Sequence, residues 1–350
     1  MENNKTIAVA VSGGVDSGVA LYLLKSNGYN VVAVFVDHFG CESGSNPQSC
    51  CGVYSEGRAR ENAVRLDVPF YRFDYRKLFN EQVIKPFIEY YKNGLTPNPC
   101  VWCNAKIRFY ALFYKIRSMG IGYLATGHYA ITKDGCLFSA VDSKKDQSYF
   151  LYAVSPKVLE HVIFPLGDIE KKQVRKIADL NLLPVADTKE SQDCCLLQDK
   201  NLKSFLRKWI PDKEGDIRDM GGAVIGVHSG AHLYTIGQRL RIGGLDGRFY
   251  VAGIDVGENR IIAGSDEDLY KKDVRIKIID PEFFEVNVNE KLHVKLRYRQ
   301  PAAACIIREL DFTGNICKIT LETPQRSPTP GQSAVLYRGN KIVGGGEIER

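Results

Sequence analysis

The chain has 350 residues, of which 44% are hydrophobic and 25% charged, and it carries a formal net charge of +6. Those figures describe an ordinary soluble protein with length for two or three domains, each able to bury a core. No run of about 18 apolar residues is present, which argues against a membrane-spanning helix. The opening Met-Glu-Asn-Asn-Lys lacks the basic-then-apolar layout of a signal peptide, so a cytoplasmic location is expected. The mild basic excess is compatible with a polyanionic partner without requiring one.

Thr6 to Val11 is a short β-branched and apolar run that predicts a strand. A Gly-Gly turn follows, then an apolar stripe at Val15, Val19, Leu23 and Leu24 that predicts a helix. Asn30 to Val36 reads as a second strand, closed by a polar, glycine-containing loop. Ser55 to Leu66 reads as a helix, Pro69 to Phe73 as a strand, Leu78 to Tyr91 as a helix and Gly122 to Thr126 as a strand. This alternation predicts an α/β fold with a parallel sheet covered on both faces and ligands at the carboxyl ends of the strands. After about residue 205 glycines cluster, at Gly221, Gly222, Gly226, Gly230, Gly243, Gly244 and Gly247. From about Val274, short alternating runs such as Lys291 to Arg297 and Cys317 to Leu321, separated by turns such as Thr329-Pro-Gly-Gln332, predict a small antiparallel β-barrel. The expected division is therefore 1–205, 206–270 and 271–350.

The sharpest motif is Ser12-Gly-Gly-Val-Asp-Ser17, between the first strand and the first helix. Glycines let backbone N–H groups approach an anion closely, the helix N-terminus favours negative charge, and Ser12 and Ser17 add hydroxyl donors. The Gly-Lys-Ser/Thr ending of a Walker loop is absent, which argues against γ-phosphate transfer. The ten cysteines should not form structural disulfides in a reducing compartment. Cys136, Cys305 and Cys317 stand alone and are expected to be small buried residues. The others group as Cys41 with Cys50 and Cys51, Cys100 with Cys103, and Cys194 with Cys195. The basic clusters Lys171-Lys172…Arg175-Lys176, Lys203…Arg207-Lys208 and Arg239…Arg241 read as solvated faces, or as phosphate contacts if the partner is a nucleic acid.

The Ser12–Ser17 string resembles the pyrophosphate loop of the PP-loop ATPases, which cleave ATP to AMP and pyrophosphate while adenylating a substrate. Within that superfamily the later blocks are similar to the bacterial tRNA-specific 2-thiouridylase family. They are Thr96-Pro-Asn-Pro-Cys-Val-Trp-Cys-Asn104, Ala125-Thr-Gly-His-Tyr129, Lys145-Asp-Gln-Ser-Tyr-Phe150 and Glu190-Ser-Gln-Asp-Cys-Cys195, extended by Arg297-Tyr-Arg-Gln300 and Thr329-Pro-Gly-Gln332. The resemblance covers nearly the whole chain. It implies ATP-dependent 2-thiolation of the wobble uridine of tRNA, with a PP-loop domain, a small central tRNA-binding domain and the barrel.

On this resemblance Ala10, Val11, Ser12, Gly13, Gly14, Val15, Asp16 and Ser17 would contact ATP, with Val36 and Gly127 at its adenosine end and Asp16 helping to position Mg2+. Cys103 would be the attacking thiol and Cys195 the persulfide carrier. Asn98, Pro99 and Cys100 would lie against the target base, and His128, Lys145, Asp146, Gln147, Arg297, Tyr298 and Gln332 against tRNA. The implied partners are tRNA and a sulfur donor, a cysteine desulfurase or a sulfur-relay protein. The chemistry fits: a uridine C2 oxygen leaves poorly until adenylated, and a thiolate or persulfide is the working nucleophile. Lys106 and Arg108 beside Cys103 would favour the thiolate. One departure matters: the family usually has an aspartate at the position of Cys100. Cys100, Cys103 and Cys195 could instead hold a [4Fe–4S] cluster, with sulfide as the donor. Two other classes stand beside these readings: a PP-loop ligase acting on a small molecule, and a non-enzymatic RNA-binding or sulfur-carrier protein.

Overall fold

The computed structural model describes residues 5–38, 53–188, 195–197, 201–244 and 246–350. Two compact units emerge. One comprises residues 1–83, 100–199 and 340–342, the other 84–99, 200–339 and 343–350. Cys41, Cys50, Cys51 and Cys194 lie outside the described residues, as does most of the 190–195 block.

The first unit is built on a parallel sheet. Its strands are β1 (Thr6–Ala10), β2 (Asn30–Asp37), β3 (Phe70–Asp74), β4 (Tyr123–Thr126) and, beyond the hairpin β5 (Ile131–Lys133) and β6 (Cys136–Phe138), the short β7 (Val162–Ile163). The order is β3-β2-β1-β4-β7, every neighbour parallel. Strands covered on both faces need apolar residues at nearly every position, and β2 is buried from Val31 to Asp37. Ile7, Val9, Val31, Ala33 and Phe35 share one face and pack with Leu21 and Leu24 of helix α1 (Val15–Ser26) and with Ala59 and Ala63 of α2 (Val53–Arg65). A second core joins Val15, Val19 and Ala20 of α1 to Val174 and Ala178 of a helix spanning Lys171–Leu180. α1 is thus buried on two sides.

The strand order reverses beside β1, whose chain continues to β2 on one side while β4 adds on the other. Such a switch point opens a crevice at the carboxyl ends of the strands. Ala10 and Thr126, the last residues of β1 and β4, are in register there. The loops that follow them are 11–14 and 127–130.

The expected continuous helix from Leu78 to Tyr91 is instead three pieces: α3 (Arg76–Phe79), a π-helical turn Asn80–Ile84 and α4 (Lys85–Lys92). A second helical run is also interrupted, with α5 (Pro99–Trp102), a π-helical segment Cys103–Ala111 and α6 (Leu112–Ser118). Pro99 is suited to the first turn, where its missing N–H has no intrahelical role. After α7 (Pro156–Leu159) the helix Lys171–Leu180 is α8, entered through a reciprocal capping box between Glu170 and Gln173.

The second unit contains α4, α9 (Leu202–Arg207) and two all-β parts. β8 (Gly215–Arg218), β9 (Val224–His228), β10 (Arg239–Leu240), β11 (Phe249–Asp255) and β12 (Arg260–Gly264) form a five-stranded sheet in the order β10-β11-β12-β8-β9. Ile217, Leu240, Val251, Ile261 and Ala263 fill its core. β13 (Tyr270–Ile278), β14 (Lys291–Lys295), β15 (Ala303–Asp311), β16 (Ile316–Arg326), β17 (Ser333–Arg338) and β18 (Lys341–Ile348) run in the order β13-β16-β15-β14-β17-β18. Antiparallel pairing of β13 with β18 closes the barrel and removes the free edges. Cys305 and Cys317 lie in its core as expected, 1% and 0% exposed. Desolvation pushes each thiol up to about 12.

Candidate functional site: a phosphate loop and a buried thiol

Gly14 caps α1 with its backbone alone, and no side chain accepts from the first turn. Helix geometry gives those N–H groups no intrahelical acceptor, which makes a helix N-terminus suited to an anion. The loop itself is held internally. Ser12 N–H donates to Ser17 Oγ at 3.0 Å, the two hydroxyls are 3.2 Å apart, and Ser17 Oγ donates to the Gly14 carbonyl at 3.1 Å. Gly13 has φ +73°, and a Cβ there would stand 2.2 Å from the Ser55 carbonyl oxygen. Gly127 meets the same loop from β4, where a Cβ would lie 2.6 Å from Ser17 N and 2.7 Å from the Asp16 carbonyl carbon. Backbone therefore packs on backbone around the loop, as a cradle for phosphate requires. Val36 is buried at the end of β2.

Asp16 is already engaged. Lys171 Nζ donates to its two carboxylate oxygens at 2.6 and 2.7 Å, and Tyr129 Oη donates to Oδ1 at 2.7 Å. Magnesium is usually held by one or two carboxylates together with substrate phosphates, and Asp16 is the carboxylate this loop would offer to it. Among the described residues no three His, Cys, Asp or Glu side chains stand together as a metal-binding group. The same finding covers Cys100, Cys103 and Cys195, all of which are described and do not assemble the three-thiolate set of a cluster.

Cys103 opens the π-helical segment and is buried, while Cys100 and Cys195 are partly exposed. A π-helical stretch is rare and concentrates at functional positions. Lys106 points to solvent. Arg108 is half-buried and its charge is felt at His128. Desolvation, with that charge, pulls His128 down to about 3. Its ring shares a 2.8 Å hydrogen bond with Thr126 Oγ1 and packs on Phe109 and Phe164. His128 is therefore a neutral imidazole at physiological pH.

Several residues implied as tRNA contacts have internal work. Buried Asp146 accepts from Ala140 N–H, Ser148 N–H and Ser148 Oγ. Gln147 Oε1 accepts from Tyr129 N–H at 3.0 Å. Arg297 donates to the Ile236 and Ser327 carbonyls and, at 2.6 Å, to Thr329 Oγ1. Gln332 Nε2 donates to the Thr96 and Pro97 carbonyls at 3.0 and 3.1 Å. Thr96 N–H donates to Pro330 O at 2.9 Å, and Asn98 Nδ2 reaches Ser333 Oγ at 3.4 Å. The turn 329–333 thus grips the backbone just ahead of Pro99. Lys145 and Tyr298 are half-buried.

Sequence reading missed Lys171, Tyr129 and Arg58 at the loop; Arg58 Nε donates to the Gly13 carbonyl at 3.0 Å. Lys171 was visible only as part of a basic cluster expected at the surface. It is buried instead, and Arg175 of the same cluster donates to the Ala186 and Thr188 carbonyls.

Three family models match successive stretches of the chain. They are described as tRNA methyl transferase HUP domain (residues 5–199), tRNA methyl transferase PRC-barrel domain (203–265) and Aminomethyltransferase beta-barrel domain (271–348). Over 100% of its length the chain is 38% identical to 99% of the tRNA-specific 2-thiouridylase MnmA 2 of Thermoanaerobacter sp.. The MnmA enzymes of Clostridioides difficile and Thermus thermophilus are 38% and 37% identical, over 99% of this chain and 99% and 95% of theirs. Among solved structures, the U34-tRNA thiolase NcsA from Methanococcus maripaludis with its [4Fe-4S] cluster aligns with 60% of this chain and 67% of its own, at 19% identity and a TM-score of 0.37.

Proposed function

The chain belongs to the tRNA-specific 2-thiouridylase family, and on that premise we propose that it uses ATP to replace the C2 oxygen of the tRNA wobble uridine with sulfur. The observation that carries this reading is the glycine-lined loop at the head of α1, on a chain that matches 2-thiouridylases from end to end. The words "methyl transferase" in two of the matched descriptions fit the residues less well. Methyl transfer needs no loop for ATP pyrophosphate, whereas thiolation through an adenylated base uses one.

The loop N–H groups and the Ser12 and Ser17 hydroxyls hold the pyrophosphate portion of ATP. The uridine O2 attacks the α-phosphorus, the bond from that phosphorus to the bridging oxygen breaks, and pyrophosphate leaves. Cys195 presents a persulfide whose terminal sulfur attacks C2, and AMP departs with the former O2. Cys103 thiolate then attacks the inner sulfur of Cys195. The 2-thiouridine is released, and a Cys103–Cys195 disulfide remains for an external thiol to reduce. Cys103 can equally attack the persulfide first, releasing sulfide as the nucleophile for C2. The supplier of the persulfide sulfur is a cysteine desulfurase or a relay protein, and the setting is the cytoplasm. No helix among the described residues is long and apolar enough to cross a membrane. No step is routed through an iron–sulfur cluster, since the three cysteines do not assemble a ligand set.

The test is thiolation by the purified chain of an unmodified tRNA, with ATP, cysteine and a desulfurase, read by mass spectrometry of the nucleosides. 2-Thiouridine should form with one AMP and one pyrophosphate per sulfur, and Cys103→Ala should abolish it while ATP still binds. A fully active Cys103→Ala protein would refute the assigned nucleophile. Methylated instead of thiolated uridine would refute the reaction.

A further inference from the structure

A loop that binds the triply charged end of ATP normally has a cation close by, and this loop carries none in its own sequence. The fold brings one from 155 residues away. Lys171 is the first residue of α8, and its backbone N–H is anchored on Asp142 Oδ2 at 3.0 Å. Its side chain is 10% exposed, and its ammonium group meets the Asp16 carboxylate in the first turn of α1. Burying a lysine and an aspartate against water is costly even when they pair, so a purely structural pair is weakly favoured over apolar packing. The placement makes sense if an anion completes the set. Asp16 remains 35% exposed, next to Ser17, whose amide lies under Gly127.

We propose that Lys171 is the catalytic cation of the pyrophosphate site, held at the loop by Asp16 before nucleotide binds and turned to the β- and γ-phosphates of ATP. As the uridine O2–phosphorus bond forms and the α-phosphorus–bridging oxygen bond breaks, the electron pair leaves with pyrophosphate, and Lys171 stabilises that charge. No proton changes hands. Tyr129 Oη keeps a hydrogen bond on Asp16 when the lysine turns away, so the carboxylate is not left bare. Arg58 has a different part, since its Nε is directed at the Gly13 carbonyl and shapes the loop. The inference rests on the ATP reading above.

The experiment compares the full chain with Lys171→Met and Lys171→Arg for binding of ATP, AMP and inorganic pyrophosphate by calorimetry, and for tRNA-dependent pyrophosphate release. Lys171→Met is expected to weaken ATP and pyrophosphate at least tenfold with AMP unchanged, and Lys171→Arg to restore most of the loss. Equal weakening of ATP and AMP, or none for either, overturns the proposal. Should Lys171→Met fail to fold, Asp16→Asn is compared with Asp16→Asn/Lys171→Met, where no buried charge is stranded, and the same ATP-to-AMP ratio decides. A wild-type chain that binds no ATP would sink the underlying reading of the loop. Wild-type binding with an unaltered Lys171→Met ratio removes the lysine's role alone.

Discussion

Gly122 and Gly127 bracket strand β4, and an alanine at each should have opposite consequences. A Cβ on Gly122 meets nothing within 4 Å, whereas one on Gly127 lands 2.6 Å from Ser17 N and 2.7 Å from the Asp16 carbonyl carbon. Neither contact is with a side chain that can turn aside, so the head of α1 or the end of β4 must move by several tenths of an ångström. Forcing a methyl into packed structure costs about 1–3 kcal/mol. That is well inside the 5–15 kcal/mol by which domains of this size are typically stable, so the protein should still fold. The same displacement falls on the loop donors proposed to hold the phosphates of ATP. Losing about 1.4–2.8 kcal/mol of binding there raises the ATP dissociation constant about 10- to 100-fold. Thermal unfolding and ATP calorimetry on both variants make the comparison. Gly122→Ala should match wild type in both, and Gly127→Ala should lose a few degrees of melting temperature and most of its ATP affinity. A Gly127→Ala protein with wild-type melting and wild-type ATP affinity would refute the backbone-on-backbone account of the loop.

His128 should leave a signature in acid. Its folded pKa of about 3 lies below the ordinary 6.5, so below pH 6.5 the unfolded chain takes up a proton that the native ring refuses. Its contribution is whole above pH 6.5 and is lost towards pH 3, at no more than about 1.4 kcal/mol per pH unit. Urea titrations at pH 7 and 5 should show a shallower loss for His128→Gln than for wild type, and equal losses would count against a desolvated neutral ring. Cys305 and Cys317, pushed up to about 12 in the barrel core, should resist alkylation in the native protein while Cys100 and Cys195 react, as read by peptide mass spectrometry. Labelling of Cys305 ahead of Cys100 would contradict the barrel as described. Gln332→Ala removes two hydrogen bonds to the 96–97 backbone, worth about 0.5–1.5 kcal/mol each. It should speed hydrogen exchange at Thr96 and Asn98 and lower thiolation more than ATP binding; unchanged exchange would refute the grip.

The parallel sheet was legible because strands buried on both faces leave unbroken apolar runs, as Val31 to Val36 does. The barrel was legible for the opposite reason, the alternation of Lys291, Leu292, His293 and Val294 between solvent and core. The π-helical turns were not. Asn80–Ile84 and Cys103–Ala111 have compositions an α-helix tolerates equally well, and only packing selects the wider turn. At the candidate site, the Ser12–Ser17 string stood out in the sequence because its glycines and hydroxyls sit in a fixed local order at the head of a helix, and Cys103 stood out only through the family resemblance. Lys171, Arg297 and Gln332 did not, because a polar side chain does not declare whether its partner is water, RNA or a carbonyl far along the chain. Lys171 looked like one of four cations in a basic cluster, and its partner lies in the first turn of α1. Among the described residues the three cysteines do not stand together as a ligand group, and Asp16 is engaged by Lys171 and Tyr129; neither arrangement is written in the local sequence.

The grip of the turn 329–333 on residues 96–98 also sets an order of events during synthesis. Helix α4 and the segment after it are tied to residues far along the chain. Phe87 packs on Phe205, Tyr90 Oη donates to Glu347 at 2.6 Å, and Arg350 donates to the Asn93 carbonyl at 2.5 Å. The parallel sheet and its phosphate loop need nothing beyond the first 200 or so residues for most of their contacts, so they can form while the ribosome is still translating the barrel. Pro97 and Asn98 have to wait for residues some 235 positions later. The nascent chain therefore acquires the 11–14 loop early and the 96–98 segment last, and a ribosome stalled before the barrel would hold a chain whose loop is formed while the segment ahead of Pro99 lacks its partners.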